Sequence, residues 1–147
     1  MNIPIIKQVP PECIGGKILF VGTDGRFYNA KGRELKPSFN PAKQRNRPNM
    51  HSAYPCMSGF GSRLCHHLVY ETFIGPRTKG LEIDHINGNK LDWSLDNLQE
   101  VTPAENRKRA KLLRVLRSIG RDPLQMSRAE LLEIFNNYEF TNPKNLD

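Results

Sequence analysis

Residues 102–105, Thr-Pro-Ala-Glu, constrain the fold of this chain more than any other part of its sequence. The Thr102 hydroxyl can accept a hydrogen bond from the backbone N–H of Glu105, whose side chain can reach back to the N–H of Thr102. Proline at the first helical position supports the same start, because its fixed φ angle suits a helix. We therefore predict a helix from Pro103 to about Ile119, where a glycine follows.

Two short β-strands are predicted before this helix. Residues 81–85, Leu-Glu-Ile-Asp-His, alternate apolar and polar side chains, and residues 98–101, Leu-Gln-Glu-Val, form the second run. The segment therefore reads as strand, long loop, strand and helix. Polar residues stand at the ends of these elements: Asp84, His85, Asn97 and Asn106.

Hydrolysis of a phosphodiester bond would need these residue types. A divalent cation neutralises charge in the transition state, and a hard cation takes oxygen ligands while keeping several waters. The Asp84 carboxylate and the Asn106 amide oxygen could supply such ligands. His85 titrates near neutral pH and could act as a base toward water. Asn97 is suited to hold the loop by hydrogen bonds across its base.

Four blocks of this sequence, in order and with consistent spacing, resemble the HNH endonucleases, and most nearly the phage and intron-encoded homing type. The resemblance covers roughly residues 18–108. The blocks are His66–Phe73, Gly80–Lys90, Asp96–Leu98 and Val101–Asn106.

The resemblance implies a ββα-metal active site with Asp84 and Asn106 as metal ligands. His85 would be the general base and Asn97 the asparagine that stabilises the loop. Aspartate and asparagine replace the first and last histidines of the family's name, as in the homing branch. Oxygen ligands at both positions favour Mg²⁺ or Mn²⁺ over zinc. His66 matches a recurring family histidine, which we interpret as structural or close to phosphate.

Basic charge is concentrated beside this predicted site. The chain carries 22 basic and 15 acidic residues, a net charge of +7, and residues 102–121 hold 7 basic residues and 1 acidic residue. Such a segment either binds a polyanion or is a solvated helix surface. At 100° per residue one side of the helix is basic and the other is apolar. The basic side consists of Arg107, Lys111, Arg114, Arg117 and Arg121, and the apolar side of Leu112, Val115, Leu116 and Ile119.

We expect the basic side to contact DNA phosphates. Residues 40–53 form a second basic segment with Lys43, Arg45 and Arg47, which could contact phosphate or face solvent.

Residues 127–137 are predicted to form a further helix behind a second capping box, Ser-Arg-Ala-Glu. The acidic charge after residue 121 favours packing of this helix against the helix that begins at Pro103, rather than insertion into a DNA groove.

The cysteines and the lack of long apolar segments indicate which structural sites and which cellular compartment to expect. Cys13, Cys56 and Cys65 include no C-x-x-C pair, so no structural zinc site is expected. Cys56 and Cys65 are symmetric about a Gly-Phe-Gly turn, which would allow a disulfide, but free thiols are favoured in a reducing cytosol. No signal peptide or membrane span is predicted, and the cytoplasm is the expected compartment, that of a host cell if the gene is a phage gene.

We predict an α+β fold in four parts: an irregular lead-in (1–16), N-terminal β-hairpins (17–64), a ββα-metal core with an extended helix (65–120) and a C-terminal helical tail (121–147). The predicted function is divalent-metal-dependent cleavage of double-stranded DNA by a monomer, which with one site nicks one strand. The alternative is a catalytically inactive DNA-binding protein on the same scaffold. RNA as the substrate is disfavoured by the resemblance alone.

Overall fold

The computed structural model describes residues 3–38 and 54–137, and the fold is α+β as predicted. Four short strands form an antiparallel sheet in the order β1-β2-β3-β4. They are β1 (Ile6–Gln8), β2 (Phe20–Gly22), β3 (Phe27–Tyr28) and β4 (Glu34–Leu35). Lys43, Arg45 and Arg47 lie outside the described residues.

The first strand departs from the sequence prediction, which treated residues 1–16 as irregular. Ile6–Gln8 instead pairs with β2, with Lys7 opposite Val21. Every side chain of β1 is exposed, so its sequence shows no alternation of apolar and polar residues. Backbone hydrogen bonds hold it in place, including one from the N–H of Thr23 to the carbonyl of Ile5.

A small hairpin leads into the first helix. β5 (Cys56–Met57) pairs with β6 (Arg63–Leu64), and α1 (Cys65–Phe73) follows without a break. The symmetry about the Gly-Phe-Gly turn suggested Cys65 as the residue opposite Cys56, but that residue is Leu64, where the hairpin ends. Cys65 therefore begins the helix and does not face Cys56 across the strands. All three cysteines are free thiols, which for Cys56 and Cys65 is the favoured alternative.

The predicted strand–loop–strand–helix segment is present. β7 (Glu82–His85) pairs antiparallel with β8 (Leu98–Val101), with His85 opposite Leu98. α2 (Pro103–Ser118) starts at the predicted capping box, in which both reciprocal hydrogen bonds form. The helix ends next to Gly120, whose φ of +82° favours glycine.

Two apolar clusters hold these parts together. The first joins the N-terminal sheet to α1 and β8 through residues such as Leu19, Phe27, Leu68 and Leu98. The second joins the loop after β7 to α2 and to α3 (Arg128–Asn137), which therefore packs against α2 as predicted. Its buried members are Ile86, Leu113, Leu116 and Leu131.

One residue of the predicted apolar face of α2 is misplaced. Ile119 is 65% exposed, because the helix ends before it and the chain turns away. Leu113 is buried instead. Within residues 3–38 and 54–137, no helix combines the length and the apolar character that crossing a membrane requires.

Candidate active site

A cleft of about 650 Å³ lies between the end of β7, the turn that follows it and the side of α2 that runs from Asn106 to Arg117. Asp84, His85 and Asn106 all line it. The cleft therefore brings together three of the four polar residues singled out in the sequence, although Asp84 and Asn106 are 22 positions apart. Asn97 is not among the residues that line it.

Asp84 is held by a buried arginine. Nε of Arg109 donates to Oδ2 of Asp84 at 2.6 Å, and the two side chains are 8% and 13% exposed. Burial raises the pKa of the Asp84 carboxyl, while the Arg109 charge and hydrogen bond act in the opposite direction. Arg109 does not belong to the basic side predicted for the helix, and the structure shows it buried.

His85 lies in a cluster of rings. Its ring is stacked on that of Tyr54 at 5.8 Å and meets that of His66 edge-on at 4.7 Å between centroids. Burial lowers the pKa of His85 to about 4, so the imidazole is neutral at pH 7. Its Nε2 atom is buried and makes no hydrogen bond within the described part of the chain.

His66 is buried beneath His85 and does not line the cleft. Burial lowers its pKa to about 2, and the pKa of its neighbour His67 is lowered to about 4. His67 is the outer member of the cluster, 3.4 Å from a guanidinium nitrogen of Arg77. Both imidazoles are therefore neutral at pH 7. His66 thus packs between the rings of His67 and His85.

Asn97 closes the base of the loop between β7 and β8. Its Oδ1 accepts from the backbone N–H of Asn87 at 3.1 Å. Its Nδ2 donates to the Asp92 carbonyl at 2.8 Å and to Oδ1 of Asn87 at 2.9 Å. The expected hydrogen bonds across the loop are thus present, and they fix the chain that follows His85.

Asn106 stands in the first turn of α2 and meets β7. Its Nδ2 donates to Oε2 of Glu82. Glu82 precedes Asp84 by two positions, so both side chains lie on the same face of the strand. Because Glu82 takes the amide nitrogen, the amide oxygen of Asn106 is the atom left for another partner.

Four cations also line the cleft: Lys90, Arg107, Arg114 and Arg117. The Lys90 ammonium lies 5.0 Å from the centre of the Tyr54 ring. A Cβ atom at Gly88 would stand 3.0 Å from Cδ1 of Leu113 and 3.2 Å from Nη2 of Arg117, so both side chains pack closely against this turn. Lys111 and Arg121, predicted on the same side of the helix, are exposed but are not part of the cleft wall.

Sequence reasoning missed Tyr54, Glu82, Lys90 and Arg109. The period of two along β7 could have indicated Glu82, because it shares a face with Asp84. The position of Lys90 at the end of the Asn-Gly turn gave a weaker indication. No local pattern identifies Tyr54 or the burial of Arg109, since both depend on distant parts of the chain.

The donor atoms in the cleft suit a hard divalent cation. Among residues 3–38 and 54–137, no group of three or more His, Cys, Asp or Glu side chains is placed to hold a metal ion. One carboxylate and one amide oxygen remain, and Mg²⁺ accepts so few protein ligands because waters and a phosphate complete its shell. Asp84 and Asn106 therefore fit such an ion.

Comparison with known proteins identifies the central segment. A family model described as HNH endonuclease matches residues 63–108. These residues contain α1, β7, β8 and the first turns of α2. The predicted resemblance to HNH endonucleases is thereby confirmed.

Two relatives match this chain in part. The SPbeta prophage-derived protein YosQ of Bacillus subtilis (strain 168), named as a candidate HNH homing endonuclease, is 35% identical over 78 residues, which are 53% of this chain and 45% of YosQ. "Protein 3.8" of Escherichia phage T7 is 51% identical over 41 residues, 28% of this chain and 34% of that protein. This chain spans less than half the length of either relative.

One solved structure is also similar. It is described as DNA binding and cleavage by the HNH homing endonuclease I-HmuI. It aligns with 90% of this chain and 68% of its own, with a TM-score of 0.48 and 24% sequence identity.

Proposed function

We propose, from the match of residues 63–108 to the HNH endonuclease family, that this protein hydrolyses phosphodiester bonds in DNA with a bound divalent cation. The observation that carries the proposal is the cleft in which Asp84, His85 and Asn106 lie together. A homing-type enzyme is the form we propose, since YosQ is named as a candidate of that kind. With one such site per chain, a monomer cuts one strand at a time.

Asp84 and Asn106 are the residues we propose as metal ligands. Asp84 offers Oδ1, because Oδ2 is bound to Arg109. Asn106 offers its amide oxygen, because Glu82 holds its nitrogen. When bound, Mg²⁺ or Mn²⁺ would neutralise charge on the phosphate and the leaving oxygen.

His85 is the proposed general base. Its low pKa keeps the imidazole unprotonated at neutral pH, so that it can accept a proton from water. Because Nε2 is enclosed by protein atoms, we assign the accepting role to Nδ1. Asn97 holds the loop that follows His85 and thereby keeps the ring beside the cleft.

The four cations of the cleft wall are the proposed contacts to the DNA backbone. Lys90 and Arg107 lie near the three polar residues, and Arg114 and Arg117 continue the wall along α2. Contacts of this kind position the substrate without reading its sequence. Lys111 and Arg121 remain candidates for weaker contacts outside the cleft.

A nicking assay tests this function. Supercoiled plasmids carrying fragments of the source genome are incubated with Mg²⁺, Mn²⁺ or EDTA. The wild-type protein should produce open circles only with metal, and His85→Ala should produce none. Arg128→Ala, an exposed change away from the cleft, should cut as the wild type does. DNA binding without cleavage under either metal would contradict the proposal and favour the inactive DNA-binding protein.

A further inference from the structure

Arg109 reaches Asp84 from behind the cleft. Asp84 lines the cleft, whereas Arg109 lines a separate cavity of about 360 Å³ between β8, α2 and α3. The short hydrogen bond between Nε and Oδ2 thus runs through the wall that separates the two cavities. The carboxylate is held from its rear, and Oδ1 is the oxygen left for the cleft.

Two further contacts fix the guanidinium group. Nη2 of Arg109 donates to the carbonyl of Ile86 at 3.0 Å, directly after the strand that carries Asp84. On the other side, the centre of the guanidinium lies 3.6 Å from the centre of the Phe135 ring, on α3. A planar guanidinium bonded through two of its nitrogens and covered by a ring has little freedom to turn.

We propose that Arg109 is a positioning residue that fixes Asp84 with a single oxygen toward the cleft, and that Phe135 makes α3 part of this support. The proposal rests on the function proposed above. Asn106 and Arg109 are three positions apart on α2, so one helix sets both proposed ligands relative to each other. Both Arg109 and Phe135 lie beyond residue 108, where the family match ends.

Hydrogen exchange of the Arg109 Nε–H group tests whether this support exists. The group is observed by ¹H–¹⁵N NMR in the full-length protein without metal. We expect slow exchange in the wild type, in contrast to the exposed side chain of Arg128. Asp84→Asn should accelerate the exchange strongly and Phe135→Leu moderately, while Phe135→Tyr should preserve the protection because it keeps the ring.

Single-turnover nicking tests whether the support serves the reaction. Arg109→Gln should lower the maximal rate roughly tenfold or more, as losses of supporting partners do at metal sites, while the KM for DNA stays the same. Arg109→Lys should recover part of the rate. Phe135→Leu should lower it about threefold in the wild-type background but should have no further effect in Arg109→Gln. A merely structural role of Phe135 would reduce the active fraction equally in both backgrounds.

The outcomes separate this proposal from the nuclease proposal. Fast exchange of the Arg109 Nε–H group in the wild type would refute the proposal that Arg109 holds Asp84 in place. The same proposal would be refuted if the wild type cuts DNA and Arg109→Gln leaves the maximal rate unchanged, or changes only the KM. A wild type that shows the protected group, sensitive to Asp84→Asn, but cuts no DNA refutes the nuclease function while upholding the support.

Discussion

Removal of two arginines from the cleft should change the salt dependence of DNA binding by a calculable amount. Arg107, Arg114 and Arg117 are exposed and line the cleft with Lys90, and the ion pairs among the described residues do not include them. If each of the four cations contacts one phosphate, log K should fall with log salt with a slope of about −3.6, at roughly −0.9 per contact. From 50 to 200 mM salt, this slope lowers the affinity about 150-fold.

The double variant Arg114→Ala/Arg117→Ala should halve that slope to about −1.8, so the same rise in salt lowers the affinity only about 12-fold. Fluorescence anisotropy with duplex DNA in EDTA measures both slopes without cleavage. The matched control is Lys31→Ala/Arg128→Ala, which removes two exposed charges outside the cleft and should leave the slope near the wild-type value. Equal slopes in the wild type and the cleft variant, or a larger change in the control, would refute this reasoning.

Two further predictions concern stability. Asn97→Ala removes three hydrogen bonds at a buried position and should lower the free energy of unfolding by about 3 kcal/mol, against about 1 kcal/mol or less for Asn89→Ala, which removes one exposed bond in the same loop. Similar urea midpoints for the two variants would contradict this account. Burial lowers the pKa values of His66, His67 and His85 far below the ordinary value of 6.5, so the unfolded chain binds protons first and stability falls as the pH drops from about 6.5 to about 4. The loss should reach about 2 kcal/mol per histidine at pH 5, and equal unfolding free energies at pH 7 and pH 5 would show that the imidazoles are not shielded.

The parts of the site that local sequence determines were predictable. The start of α2 follows from the capping box of Thr102 and Glu105, whose bonds connect residues three positions apart. β7 follows from the alternating apolar and polar side chains of residues 81–85. Since Asp84 and Asn106 stand at fixed points of these elements, pairing of the strands was enough to bring them to one place.

The remaining features depend on contacts that the sequence does not encode locally. β1 is exposed on all its side chains, so only backbone pairing with β2 makes it a strand. The burial of Arg109 in α2 is likewise a feature that the local sequence does not predict. No pattern within the helix indicates that it is buried, because its partners are distant: Asp84 lies 25 positions before it and Phe135 lies 26 positions after it.

The central claim is that Asp84 and Asn106 hold one cation beside His85. Anomalous X-ray diffraction from crystals soaked in Mn²⁺ measures this directly. The account predicts one strong manganese peak in the cleft, bonded to Oδ1 of Asp84 and to the amide oxygen of Asn106. A cleft without manganese at saturating concentration, or a peak bound to neither residue in protein that cuts DNA, would contradict it.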